Sequence, residues 1–157
     1  MRHILKLHRS LLGPIPEITT NFKFAIFDPK LQADTWLALN NKIFKEHPDQ
    51  GNWVLADLDN RMAEPWFDSQ GFFLATQGDN IIGFCWTKIH HDLVNQDPVG
   101  EIYVIGVDPD FRTKGLGRAL AITGLNYLVA KDLKHAMLYV DADNQVALNM
   151  YQGLGFN

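Results

Sequence analysis

The chain of 157 residues has a single cysteine, no surplus of positive charge and no long apolar run. One cysteine, Cys85, excludes a disulfide framework or a cysteine-rich zinc site within one copy. A formal net charge of -4 and a pI of ≈ 5.8 argue against non-specific binding to nucleic acid, which needs a basic excess to neutralise phosphates. Any anionic ligand must then be met by local geometry. The start of the chain is basic, but Lys6, His8 and Arg9 interrupt any apolar signal-like core. Nothing elsewhere approaches the ~20 apolar residues of a membrane span. A soluble cytoplasmic protein with no membrane partner, no nucleic-acid partner and no metal is expected. Internal repeats and low-complexity tracts are also lacking.

What is present suits one globular domain, with 46% hydrophobic residues to build a core. Pro14 and Pro16 fix φ in a stretch of scattered Leu and Ile, so residues 1–20 read as a linker and 21–157 as the domain. Phe24 and Ile26 alternate with Lys23 and Ala25 in a first strand that Asp28-Pro29 ends. Helical spacing follows from Asp34 to about His47-Pro48, and a second helix runs from Gly51 or Asn52 through Met62 until Pro65. Residues 71–76 and 81–90 flank the turn Gln77-Gly78-Asp79-Asn80, which predicts a hairpin. A fourth strand over 101–107, a helix opening at Gly115, a fifth strand over 135–140 and a last helix capped by Asp143 or Asn144 complete the order β, α, α, β, β, β, α, β, α.

The sharpest chemical signal is the fourth strand followed by Arg112-Thr113-Lys114-Gly115-Leu116-Gly117-Arg118 at a helix start. Such a turn aims free backbone N–H groups outward with the positive end of the helix dipole behind them. Gly115 and Gly117 let phosphate oxygens approach the amides, and Arg112, Lys114 and Arg118 add charge in an acidic chain. That pattern suits a pyrophosphate. A Walker loop would need Gly-Lys-Ser/Thr and a Rossmann turn three glycines, and both are missing. The bland alternative is a glycine-rich helix entry with solvated basic residues.

Arg112, Gly115 and Gly117 fill the R/Q-x-x-G-x-G/A signature, and Asn144 to Phe156 matches the ending N-x-x-A-x-x-x-Y-x-x-x-G-F, so the chain resembles the GNAT acetyltransferases. Four separated stretches, 47–51, 64–68, 100–109 and 138–144, resemble the mycothiol synthases within that family, whose C-terminal half does the chemistry. The resemblance implies an α/β (α+β) GNAT fold. Its mixed, mostly antiparallel central sheet would splay between the fourth and fifth strands and be flanked by helices, with the family's last strand missing after Asn157 or supplied by a partner. It implies acetyl-CoA as co-substrate and a small-molecule amine as acceptor. A second GNAT-like domain or a homodimer partner is a further expectation.

By the same resemblance Glu101 acts as base, directly or through a water, and Tyr151 reaches the thioester sulfur as acid. The alternatives are a strand carboxylate paired with a lysine and an aromatic packed under the sheet. Tyr151 lies seven positions after Asn144, two helical turns on the same face. Backbone N–H groups of Ile105, Gly106 and Val107 would polarise the acyl carbonyl, with Gly106 keeping that edge open. Residues 112–118, among them Thr113 and Leu116, would hold the coenzyme diphosphate, with Asn144 and Asn149 along the cofactor, although capping explains Asn144 as well. Tyr139, Glu64 and Lys88, together with Glu101, would contact the acceptor, with Asp68 as a weaker candidate. Trp53, Trp66 and Trp86 fit a pocket wall or the core. His90-His91 makes no metal pair, because neighbours on a strand face opposite sides, and Cys85 reads as a core residue. An acceptor other than a cysteinyl sugar, such as a protein N-terminus, stays open, as does an acyl-CoA-binding half-domain without turnover.

Overall fold

A computed structural model describes residues 2–19, 21–111 and 115–157, so the expectations for Arg112, Thr113 and Lys114 lie outside the described residues. The chain forms β1 (Ile4–Ser10), β2 (Lys23–Ile26), α1 (Pro29–Ile43), α2 (Leu55–Met62), β3 (Phe72–Gln77), β4 (Asn80–His90), β5 (Val99–Val107), α3 (Leu116–Ala130), β6 (His135–Asp141) and α4 (Gln145–Gly153). The strands make one six-stranded sheet in the order β1-β6-β5-β4-β3-β2. All neighbours are antiparallel except β5 and β6.

The linker expected over residues 1–20 is corrected. Ile4–Ser10 is a strand, paired along its whole length with β6 from Ile4↔Asp141 to Ser10↔His135. Its Leu7 is buried, as is Leu11 just beyond, because the alternation of Leu5 and Leu7 with Lys6 and His8 gives the strand an apolar face. The prolines constrain only the stretch after it. β1 thereby occupies the place beside β6, and on its other side His8 exchanges two backbone hydrogen bonds of 2.9 Å with Asn157.

Local signals place the other elements. Asp28 caps α1 by accepting from the Lys30 N–H at 3.0 Å, and Pro29 supplies a preset first turn, so this helix starts earlier than its apolar spacing suggested. Gln77 pairs with Asn80 across the hairpin, whose Gly78 takes a positive φ of 59°. Each sheet face has its own core. Helix α3 covers one with Leu116, Leu120, Ile122 and Leu125, all at 0% exposure. Helices α1 and α2 cover the other, where Trp36 meets Phe72, Phe84 and Trp86 edge-on at 5.2–5.7 Å.

Candidate functional site

Strands β5 and β6 run parallel but share register only at Gly100↔Ala136 and Glu101↔Met137. Beyond Glu101 they part. The gap is a cleft of ≈ 640 Å³ whose walls include Glu101, Ile105, Val107, Met150 and Tyr151. On its other side β5 stays bonded to β4, with Asp108 donating to the Ile82 carbonyl at 2.8 Å. Bond direction alternates along an antiparallel strand, so the Gly106 amide also turns toward β4, while the N–H groups of Ile105 and Val107 face the splay.

Gly106 therefore differs from expectation, since it does not line the cleft. Its missing side chain answers a packing need against β4 and α1, where a Cβ would stand 2.8 Å from Cε1 of Phe84 and 3.0 Å from Cδ1 of Ile43.

The helix entry adjoins this cleft. Gly115 caps α3 at φ 90°, a left-handed conformation that side chains resist, and its carbonyl accepts from Ala119 at 2.9 Å. The first-turn amides of Leu116, Gly117 and Arg118 have no acceptor within the helix. At Gly117 a Cβ would meet Sδ of Met150 at 3.5 Å and Val107 at 4.0 Å, two residues of the cleft wall. The Leu116 side chain is wholly buried, so only its backbone can serve a ligand. Upstream, Lys42 bridges Asp108 at 2.9 Å and Asp110 at 2.7 Å. Burial alone would raise the Asp108 carboxyl, but the hydrogen bonds from Lys42 and the Asp110 N–H outweigh it and hold it below its usual range.

Glu101 is 5% exposed at the last paired position before the splay. Register sets it opposite Lys88, yet the Lys88 ammonium lies over the rings of Trp66 at 4.7 Å and Tyr103 at 5.5 Å. The Glu101 carboxylate instead takes Nε2 of His90 at 2.7 Å. Sequence reasoning weighed His90 only as half of a metal pair, and a hydrogen bond across strands was the signal it lacked. A bulge after Trp86, with Tyr103 as the extra residue of β5, intervenes just past this pair.

Tyr151 is 8% exposed, meets Phe156 edge-on at 5.9 Å and lines the cleft. Burial pushes its phenol well above the usual value, so it stays protonated near neutral pH. Asn144 also lines the cleft, with its Oδ1 capping α4 through the Ala147 N–H at 3.2 Å. Asn149 stands exposed on α4, where it accepts from Gln145 at 2.7 Å, and is not brought into the cleft. Tyr139 is 56% exposed at the cleft edge.

Glu64 and Lys88 sit beside the main cleft, in a second hollow of ≈ 490 Å³ with Trp66. Arg61 and Tyr103 border both spaces, and Arg61 Nε donates to the Tyr103 hydroxyl at 3.3 Å; spacing had not marked either residue. Trp53 and Trp86 belong to the core, whereas Trp66 is half-buried under Lys88. Asp68 lies apart, accepting from the Tyr127 hydroxyl at 2.6 Å. At the far mouth Arg2 bridges Asp141 at 2.6 Å and Asp49 at 3.1 Å. Cys85 is buried with its thiol pushed up to about 12 by desolvation, which suits a packing role. Among the described residues no cluster of three or more metal-ligating side chains occurs, and no helix is long and apolar enough to cross a membrane.

Residues 32–156 match the acetyltransferase (GNAT) family. The chain is 44% identical over 167 residues to a mycothiol acetyltransferase of Acidothermus cellulolyticus, covering 99% of this chain and 51% of that protein. It is likewise 44% identical over 158 residues to the mycothiol acetyltransferase of Streptomyces coelicolor, covering 99% and 50%. The chain thus spans about half the length of these curated relatives. In fold it resembles a GCN5-related N-acetyltransferase from Sphaerobacter thermophilus, with a TM-score of 0.75 at 21% identity over 99% of this chain and 48% of that one. An aminoglycoside N-acetyltransferase solved with CoA gives a TM-score of 0.64 at 22% identity, covering 100% and 90%.

Proposed function

Because the chain belongs to the acetyltransferase (GNAT) family, we propose that it transfers the acetyl group of acetyl-CoA to the cysteinyl amine of a cysteinyl-glucosaminyl-inositol, giving mycothiol. The name shared by its relatives supports this acceptor, and their doubled length is compatible with a second domain completing the site. The observation that carries the reading is the splay itself, where a buried carboxylate and two outward amides share one cleft. The residues present fit the co-substrate. Amides at the start of α3 and the Arg118 side chain suit its diphosphate, and the glycine at 117 leaves room beside Met150.

Acetyl-CoA supplies an activated acyl carbon, and the chain's groups manage charge around it. An ammonium has no lone pair to attack with, so Glu101 takes its proton, directly or through a water. The N–H groups of Ile105 and Val107 donate to the acyl oxygen as it gains negative charge, in a gap where no strand competes for them. The neutral Tyr151 phenol gives its proton to the departing sulfur, so CoA leaves as the thiol, and the second proton shed by the acylated nitrogen restores the phenol. Lys88, Glu64 and Tyr139 face the acceptor side, and Asn144 borders the cofactor end.

Thiol release from acetyl-CoA, compared between the cysteinyl sugar and a peptide N-terminus, tests the assignment. Faster release with the sugar is expected. Preference for the peptide would reassign the acceptor, and tight CoA binding with no release under either condition would make the chain a binding half-domain.

A further inference from the structure

We propose that His90 is the positioning residue of the acyl-transfer site, holding the Glu101 carboxylate with one oxygen committed to the imidazole and the other left for the amine. This rests on Glu101 being the base. At 5% exposure the Glu101 carboxylate is taken out of water, a cost that a buried charge carries unless it is hydrogen-bonded. A donor has to offset that penalty. Lys88, the cross-strand neighbour, is held over Trp66 and Tyr103, and the hydrogen bond made to the carboxylate among the described residues is the one from His90 to Oε1 at 2.7 Å.

Geometry sets how the ring acts. His90 lies on β4 and Glu101 on β5, so the ladder of two strands fixes the ring where a loop could not. With Oε1 engaged, Oε2 is the atom available to an amine proton. A ring that carries a proton at Nε2, with or without one at Nδ1, donates to the carboxylate through that atom. No proton needs to pass through His90.

His90 borders the hollow holding Arg61, Glu64, Lys88, His91 and Asp92. On its other side it borders a cleft of ≈ 780 Å³ with Lys6, His8 and Arg9 of β1 and His135 and Tyr139 of β6. Among the described residues neither set makes an ion pair with Glu101, which leaves His90 as the side chain in contact with its carboxylate.

The test compares His90→Ala, His90→Gln and Glu101→Gln in acetyl-CoA turnover with cysteinyl-glucosaminyl-inositol across pH. His90→Ala should lower kcat at neutral pH about tenfold and move the acidic limb of kcat upward by about one pH unit, with the KM for acetyl-CoA unchanged. His90→Gln, whose Nε2–H can reach the same oxygen, should restore most of both. An acidic limb that stays put in His90→Ala while Glu101→Gln is slow overturns the positioning role and leaves the base intact. Wild-type turnover in Glu101→Gln overturns the base assignment itself. Nitrogen-15 spectra of the unaltered chain give an answer that needs no variant to fold: a His90 ring carrying its proton at Nε2 is expected, and a bare Nε2 at neutral pH overturns the proposal.

Discussion

The Cβ that Gly106 lacks would stand 2.8 Å from Cε1 of Phe84 and 3.0 Å from Cδ1 of Ile43, so β5 can lie this close to the α1 layer only with glycine there. Both obstacles belong to packed side chains. Gly106→Ala is expected to cost about 1–3 kcal/mol, as overpacking does. Urea denaturation checks it, and an unchanged midpoint would remove the packing explanation for this glycine.

Asp108 supplies a pH-dependent part of the same region. Its folded carboxyl is held below the unfolded value, so its stabilisation is present above about pH 4 and is lost as pH falls through the lower, folded value. Asp108→Asn should lower stability by about 1 kcal/mol at neutral pH, since Asn still accepts the Asp110 N–H but loses the charge facing Lys42. The difference from wild type should vanish in denaturation curves recorded well below pH 4. A gap that persists there would tie the loss to shape instead of charge.

These two positions show what the sequence could and could not reveal. Signals within a few residues were legible: the hairpin at Gly78, the Asn144 cap and the strand leading to Gly115 all rest on local backbone chemistry. Contacts between distant segments were not. β1 has no stable partner until β6 forms more than a hundred residues later, so the prolines beside it dominated its reading. Glu101 and His90 meet only because the β4–β5 register puts them on neighbouring strands, and the role of Gly106 depends on Phe84 from another strand. Period-two alternation shows that a side chain faces one side of a sheet, and cross-strand register decides what it meets there.

Tyr151→Phe separates packing from proton donation. The edge-on contact with Phe156 survives the change, so thermal stability should fall little. Turnover should drop by about 10²-fold, the lower end of what a positioned acid contributes, with CoA affinity nearly unchanged. Single-turnover kinetics beside a CoA titration resolve the two. Loss of CoA binding in step with turnover would return Tyr151 to a purely packing role.

In the proposed mechanism Lys88 belongs to the acceptor side. Its ammonium rests on Trp66 and Tyr103 in the smaller hollow, whereas the free amides of Ile105 and Val107 and the start of α3 lie along the main cleft. Arg61 and Tyr103 border both, so the two spaces adjoin at these residues. Lys88→Met keeps much of the aliphatic cover on Trp66 and removes the cation. The acceptor KM should then rise about tenfold or more, as loss of a charge-assisted hydrogen bond does, while the acetyl-CoA KM stays where it was. Steady-state kinetics with each substrate varied in turn distinguish the outcomes. A rise confined to acetyl-CoA would move the coenzyme into the smaller hollow and exchange the two sides of the site.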